Sequence, residues 1–356
     1  MYKIQLPKIN EISTKNNNTI KGFPELKENL NKEKKAFDKI QNLSMYYTML
    51  NKNNPYYELT NVLKEKLNNI NVTNGFIKLY EINAEFKLYN KDVTAFFLAE
   101  FPGSFIMSMM EFCSQHKIKY NWLANSYMDE TGKTNYLADQ FKYYKNNPDK
   151  WMFGSYGNGD VTLIDNIRSF KQDIVKYPPI IYMTGDAKFV EKEEDWDKEE
   201  EDNVNVLTGE VINILNILSI GGNAIIKFFT FCEIPTIYLL YLLSYHFESV
   251  YITKPLTSRP ANSEIYIICL NKTKELLQSL HDLIYKKNTS KIFKIPSSFC
   301  QIIPNEFITF LRNVEEELMN KQIKALKQQL TMKHEPYDGS LIKQWLEKVN
   351  IGENKS

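Results

Sequence analysis

Three ionisable residues stand where apolar strands should exclude them. Lys227 lies inside GGNAIIKFF, between Ile226 and Phe228. An ammonium group in such a run costs several kcal/mol to desolvate unless it is paired, neutralised or opens onto a pocket. Asp186 ends the apolar run PPIIYMTGD, and Glu264 opens EIYIICL. A structural salt bridge accounts for any one pair of these. Three such groups at strand ends, with glycine-bearing loops upstream, read instead as a site, since open α/β sheets bind ligands there.

Two loops supply the rest of the pattern. LAEFPGSF, Leu98 to Phe105, puts an acid and a Pro-Gly turn between a strand and a helix. A glycine there lets backbone approach a ligand, and a helix N-terminus offers N–H groups to a carboxylate or phosphate. GNGDVTLIDNI, Gly157 to Ile167, presents Asp160 on a Gly-rich turn. Asp160 reads either as a turn or capping aspartate or as a contact to the adenosine part of a cofactor. The Leu98–Phe105 loop carries neither GxGxxG nor GxxxxGK[ST], so a dinucleotide is disfavoured and a P-loop is excluded.

The elements that must position these residues alternate between strand and helix. TAFFLAEF is a strand that stops at Pro-Gly, and SFIMSMMEFCSQH follows as a helix. YMTGD, GGNAIIKFF, SVYITKPL and EIYIICL read as further strands, with helices over VLTGEVINILNILSI and Ile234 to Phe247. The order predicts a Rossmann-like, doubly wound, mostly parallel α/β sheet with helical N- and C-terminal extensions. The expected division is 1–90 for an N-terminal arm and helices, 91–275 for the core and 276–356 for a C-terminal helical extension. Residues 1–30 read as a partly ordered arm. Helical spacing then covers EKKAFDKIQNLSMYYTML and Asn61 to Asn69. The acidic run Glu191 to Asp202 reads as a solvated loop, or as a flap over the site. The long amphipathic helix after Pro304 reads as a core cover. Its alternative is a dimer contact or RNA-facing surface, since Lys321, Lys324 and Lys327 share its polar side.

Composition narrows the class. The 356 residues carry 44 Lys+Arg against 43 Asp+Glu, so a polyanion would have to be bound by a local patch. Four scattered cysteines without a CxxC pair read as reduced core thiols of a cytosolic or nuclear protein. Four histidines without metal-ligand spacing to cysteine make zinc improbable. The N-terminus lacks an apolar signal-peptide core, and IPTIYLLYLLSYHF is too short for a membrane span.

LAEFPGSF, GNGDVTLIDNI, TGD, GGNAIIKFF and KPLTSRPANSE together resemble the successive motifs of FtsJ-like RNA ribose 2′-O-methyltransferases, nearest to their cap-1 branch. The resemblance covers roughly residues 30–275 and is strongest in SRPANSE. It implies methyl transfer from S-adenosylmethionine to a ribose 2′-hydroxyl of RNA, at the first cap-proximal nucleotide of viral mRNA. It implies a Lys-Asp-Lys-Glu tetrad in which Asp186, Lys227 and Glu264 match directly. The first lysine is assigned to Lys39 in KKAFDKI, with Lys35 as runner-up. The cofactor would lie on Glu100, Pro102, Gly103, Ser104, Phe105, Asp160 and Val161, and RNA on Lys254, Ser258, Arg259 and Asn262. Tyr46, Tyr47, Tyr56, Tyr57 and Trp122 are candidates for stacking on a methylated guanine. No metal is required. Lys227 is the expected general base or oxyanion-orienting group, its pKa lowered by burial and a second lysine and raised by Asp186 and Glu264.

The Asn/Lys-rich style resembles large cytoplasmic DNA viruses. This implies a host-cytoplasmic viral factory as location, with the virion as a second one. Capped mRNA 5′ ends are the implied partner, with a homodimer or a capping enzyme beside them. Phe101, Ser104, Ala187 and Lys188 depart from the family's APGGF and Asp-Gly-Gly-Phe patterns. A catalytically degenerate RNA-binding or capping-complex subunit is therefore the alternative.

Overall fold

The computed structural model describes residues 1–12, 20–36, 54–68, 70–88, 92–128, 139–188, 198–286, 291–330 and 339–351. Seven strands form one sheet in the order β1-β6-β7-β5-β4-β2-β3. They are β1 Tyr2–Gln5, β2 Asp92–Leu98, β3 Lys119–Ala124, β4 Tyr182–Gly185, β5 Asn223–Phe228, β6 Phe247–Lys254 and β7 Ile265–Lys272. The ladders β3–β2, β2–β4 and β4–β5 are parallel. β7 is antiparallel to both β5 and β6, and β1 is antiparallel to β6. Thus β2 to β6 share one direction and β1 and β7 oppose it, giving the mostly parallel Rossmann-like sheet that the motif order predicts.

The described helices of eight residues or more are α1 Pro24–Lys34, α2 Leu59–Lys66, α3 Asn74–Phe86, α4 Ser104–Gln115, α5 Ile164–Asp173 and α6 Glu199–Ile217. They continue with α7 Ile234–His246, α8 Gln278–Tyr285, α9 Asn305–Leu330 and α10 Gly339–Val349. Strand alternation divides the core between the two sheet faces. Phe96, Leu98, Met183, Ala224, Ile226 and Ile267 join one cluster with α5, α6, α7 and α9. Val93, Ala95, Phe97, Tyr182, Ile225 and Tyr266 join the other with α3 and α4. A smaller cluster ties α2 and α10 to α3 and α4.

Several elements differ from the sequence reading. The first residues are not an arm: Tyr2–Gln5 pair with Tyr251–Lys254 and extend the sheet edge. Leu6, Phe23 and Leu30 enter the same core cluster as Phe307 and Leu311 of α9, so the segments before 90 and after 275 pack on the central sheet. The helix expected from Glu33 falls mostly outside the described residues; α1 ends at Lys34. The tail of the acidic run is the first turn of α6 and no solvated loop. Glu200 there is buried and accepts from the Cys232 and Glu233 N–H groups and from Thr230 Oγ. That carboxylate compensates the N-terminal N–H groups and dipole of α7. Among the described residues no helix is long and apolar enough to cross a membrane. All four cysteines are buried and free.

Candidate active site

Period-two alternation decides where the three anomalous residues point. Ile225 and Tyr266 face the α3 side of the sheet, so Lys227 and Glu264, two residues away from each along the chain, are aimed at that side too. Tyr182 of β4 shares that face, and Asp186 follows four residues later. The covering helix meets them with a lysine. Lys78 of α3 places its Nζ 2.5 Å from Glu264 Oε1. Lys227 Nζ lies 3.1 Å from Asp186 Oδ1 and donates to the Asp186 carbonyl at 2.7 Å. Ser258 Oγ donates to Glu264 Oε1 at 2.7 Å. Tyr266 stands in register opposite Lys227. Two lysines and two acids thus form one ionic cluster at the carboxyl ends of β4 and β5.

At Lys227 the opposing influences named from the sequence resolve in one direction. Burial works to lower its pKa, but Asp186, Glu264 and Glu210 together outweigh burial and raise it. The resting side chain is therefore an ammonium. Burial also works to raise Glu264, yet Lys78 above all, then Lys227 and the Ser258 hydroxyl, bring it down to about 2. Glu264 is thus a carboxylate throughout the physiological range.

Lys39 lies outside the described residues; among the described residues Lys78 is the lysine that meets Glu264. Lys35 caps the C-terminus of α1. Lys78 escaped the sequence reading because NGFIKLYEINAEF was not read as a helix. The signal was present: a lysine and an acid three residues apart in an otherwise apolar run, the same anomaly that exposed Lys227. Thr73 starts this helix, its hydroxyl accepting from the Phe76 N–H at 3.1 Å.

α6 backs the site from the opposite face. Glu210 is buried and accepts from the Ala187 N–H at 2.8 Å. Gly185 admits that carboxyl, since a Cβ there would lie 2.8 Å from the Glu210 carboxyl carbon. Burial pushes Glu210 up to about 8. Asn213, one turn on, donates to the Val161 carbonyl at 3.1 Å, and Gly209 lets the helix approach that carbonyl closely. The departure Lys188 is turned onto α6, 3.2 Å from Glu199.

The loops after β2 and β3 and the turn before α5 converge beside the cluster. The Glu100 N–H donates to the Asn125 carbonyl, the Phe101 N–H to Ser126 Oγ, and Asn125 Nδ2 to the Gly159 and Met152 carbonyls. Glu100 is buried and turned inward, its Oε1 accepting from the Phe105 and Ile106 N–H groups at 2.8 and 3.0 Å. Burial holds its pKa well above the usual carboxylate range, with Asp186 adding to the effect. Gly103, at φ 108°, begins α4 following Pro102. Ser104 does not crowd the loop: a Cβ at Gly75 would lie 3.2 Å from the Ser104 Cβ, so this side chain packs toward α3. Phe101 stacks on Trp151 with ring centroids 4.5 Å apart. Asp160 shapes the turn, its Oδ1 accepting from the Thr162 N–H at 2.8 Å and Thr162 Oγ at 2.7 Å. Buried Asn125 Oδ1 has no hydrogen-bond partner among the described residues.

Three of the four expected RNA contacts make hydrogen bonds within the turn between β6 and β7. Lys254 Nζ donates to the Asn262 carbonyl and Oδ1 and to the Glu264 carbonyl, all within 2.8 Å. Burial lowers its pKa to about 7. Ser258 is committed to Glu264, and Arg259 alone of the four is exposed. Trp122 is buried among Trp151 and Tyr143, with Lys150 over its ring, and does not offer a stacking face. Tyr46 and Tyr47 lie outside the described residues. On α9, Lys321 pairs with Glu317 and Lys327 with Glu33 of α1, so this helix covers the core while its charges bind neighbours. Among the described residues no cluster suits a metal ion.

The probable methyltransferase EP424R of African swine fever virus is 34% identical over 227 residues, covering 61% of this chain and 53% of that protein. The cap-specific mRNA (nucleoside-2′-O-)-methyltransferase 2 of Drosophila melanogaster is 29% identical over 274 residues, covering 72% of this chain and 39% of that protein. The chain spans about half the length, or less, of these relatives. A putative ribosomal RNA methyltransferase from Plasmodium falciparum superposes with a TM-score of 0.41 at 16% identity, covering 57% of this chain and 99% of that one. The FtsJ-like methyltransferase profile matches residues 71–272, a span that holds Lys78, Asp186, Lys227 and Glu264 together with the loops beside them, and the chain belongs to that family.

Proposed function

We propose that the chain methylates the ribose 2′-hydroxyl of RNA, with S-adenosylmethionine as donor. The observation that carries this reading is the cluster of Lys78, Asp186, Lys227 and Glu264 beside the loop Glu100–Phe105. The cofactor is assigned to Glu100, Pro102, Gly103, Ser104, Phe105, Asp160 and Val161, with Asn125 and Ser126 tying these loops together. The cofactor supplies a methyl group on a sulfonium, which is already a good leaving group.

What remains for the protein is to hold the hydroxyl in line and remove its proton. Lys227 is the group placed to do so. Asp186 fixes its amine through side chain and carbonyl, and Glu264 fixes Lys78 on the other side. Lys227 must first shed its own proton, so the transfer rate depends on pH. Arg259 on the exposed part of the β6–β7 turn is placed to contact a phosphate.

Cap-proximal mRNA is the proposed substrate, supported by the SRPANSE segment and by the cap-specific relative. The test is one methylation assay comparing cap-0 RNA, uncapped RNA of the same sequence and ribosomal RNA fragments. Transfer to cap-0 RNA alone supports the proposal. Equal transfer to uncapped RNA overturns the cap assignment, and no transfer to any RNA overturns the enzyme. Failure to bind S-adenosylmethionine would favour a non-catalytic RNA-binding subunit.

A further inference from the structure

α3 touches the β6–β7 turn at two points. Lys78 reaches Glu264 near the end of the turn. Three residues along the helix, Glu81 reaches its beginning. Glu81 Oε1 accepts from the Leu256 N–H at 2.7 Å. Its Oε2 accepts from Thr257 Oγ at 2.9 Å and from the Thr257 N–H at 3.3 Å. Residues three apart share one helix face, so both contacts leave α3 on the same side.

Glu81 is 1% exposed, and a carboxylate so buried is costly unless its acceptors are met. Here they are met by the two residues that follow Pro255. The same turn then delivers Ser258 to Glu264, and Glu264 to Lys78. Lys254 closes the far side of the turn by binding Asn262 and the Glu264 carbonyl. The turn is therefore held at its base by Lys254, from α9 by Gln322, whose Nε2 donates to the Ala261 carbonyl and to Ser263 Oγ, and against α3 by Glu81. Of these anchors, Glu81 belongs to the helix that carries Lys78.

We propose that Glu81 is a positioning residue for methyl transfer. It clamps Leu256 and Thr257 to α3 so that Glu264 meets Lys78. The inference rests on the reading of this cluster as a ribose methyltransferase site, and it adds a residue that touches neither substrate nor cofactor. Gln at this position keeps the volume but sets an amide donor against the Thr257 donors. Asp keeps the charge on a shorter stem.

The test uses the full chain carrying Glu81→Gln, Glu81→Ala or Glu81→Asp. Three quantities are read: single-turnover methylation, cofactor affinity by calorimetry, and amide exchange over residues 255–265. For Glu81→Gln the expected loss in the transfer rate is about 10- to 100-fold, the scale of a misplacement near 1 Å. Cofactor affinity stays within about threefold, the thermal midpoint stays near wild type, and exchange accelerates both at 256–257 and at 262–265. Glu81→Asp restores part of the rate. A Gln variant with a wild-type rate overturns the proposal. So does acceleration confined to 256–257, or loss of cofactor affinity in step with the rate. If the wild-type chain transfers no methyl group, the methyltransferase reading fails by itself, and the clamp stands or falls on exchange at 262–265.

Discussion

Lys227 holds Asp186 twice, through its carboxylate at 3.1 Å and its carbonyl at 2.7 Å. One amine therefore fixes both the side chain and the backbone at the end of β4. This makes Lys227 an organiser of the site as well as its proposed base. Lys227→Ala should abolish methyl transfer, by about a thousandfold or more. S-Adenosylmethionine affinity should stay within a few fold, because the cofactor loops are held by Asn125, Ser126 and Glu100. A radiolabelled methyl assay beside calorimetry checks both halves, and wild-type-like turnover would reject the assignment.

The first lysine of the cluster can be decided by two substitutions. Lys78→Ala removes the partner of a buried carboxylate and should lower transfer about a hundredfold or more, at a cost of roughly 3–5 kcal/mol in stability. Lys39→Ala should leave transfer within about threefold. The reverse ranking would return the role to Lys39.

The pH–rate profile follows from the raised pKa of Lys227. If the neutral amine takes the hydroxyl proton, its population grows tenfold per pH unit below that pKa. The logarithm of the single-turnover rate should then climb with a slope near one through neutral pH. Glu264→Gln removes one of the charges that raise Lys227, so its plateau should come at lower pH although its maximum rate falls. A flat wild-type profile from pH 6 to 9 would assign Lys227 to orienting the oxygen as an ammonium.

Glu210 should leave a mark on stability. Burial raises its pKa from the ordinary carboxylate value to about 8, so between about pH 4.5 and 8 the folded chain keeps a proton that the unfolded chain has released. The unfolded state then binds fewer protons, and the stability this group confers below pH 4.5 is lost as pH rises through that window. Glu210→Gln removes the dependence. Its thermal midpoint relative to wild type should rise steadily between pH 5 and 8, and a constant difference would count against the shift.

Arg259 is exposed and belongs to the turn that the cluster depends on. Arg259→Ala should raise the KM for RNA several-fold and shallow its salt dependence by about one phosphate contact, while cofactor affinity stays unchanged. An unchanged KM across salt concentrations would remove Arg259 from the RNA surface.

Residue type and spacing alone determined the strands around Asp186, Lys227 and Glu264, the Pro-Gly loop between β2 and α4, and the family. These signals are local: a charge in an apolar run, an acid at a strand end, a glycine at a turn. The rest depended on contacts between distant segments. Which helix covers that face decided that Lys78 meets Glu264, and nothing in NGFIKLYEINAEF names its partner. The direction of the Lys227 shift needed the summed charges of Asp186, Glu264 and Glu210, because burial alone gives the opposite sign. The resemblance implied RNA contacts at Lys254, Ser258 and Asn262, and only the folded turn shows the hydrogen bonds that these three side chains make within it. Pairing made Tyr2–Gln5 a strand, since an edge segment acquires its ladder only when β6 is already in place.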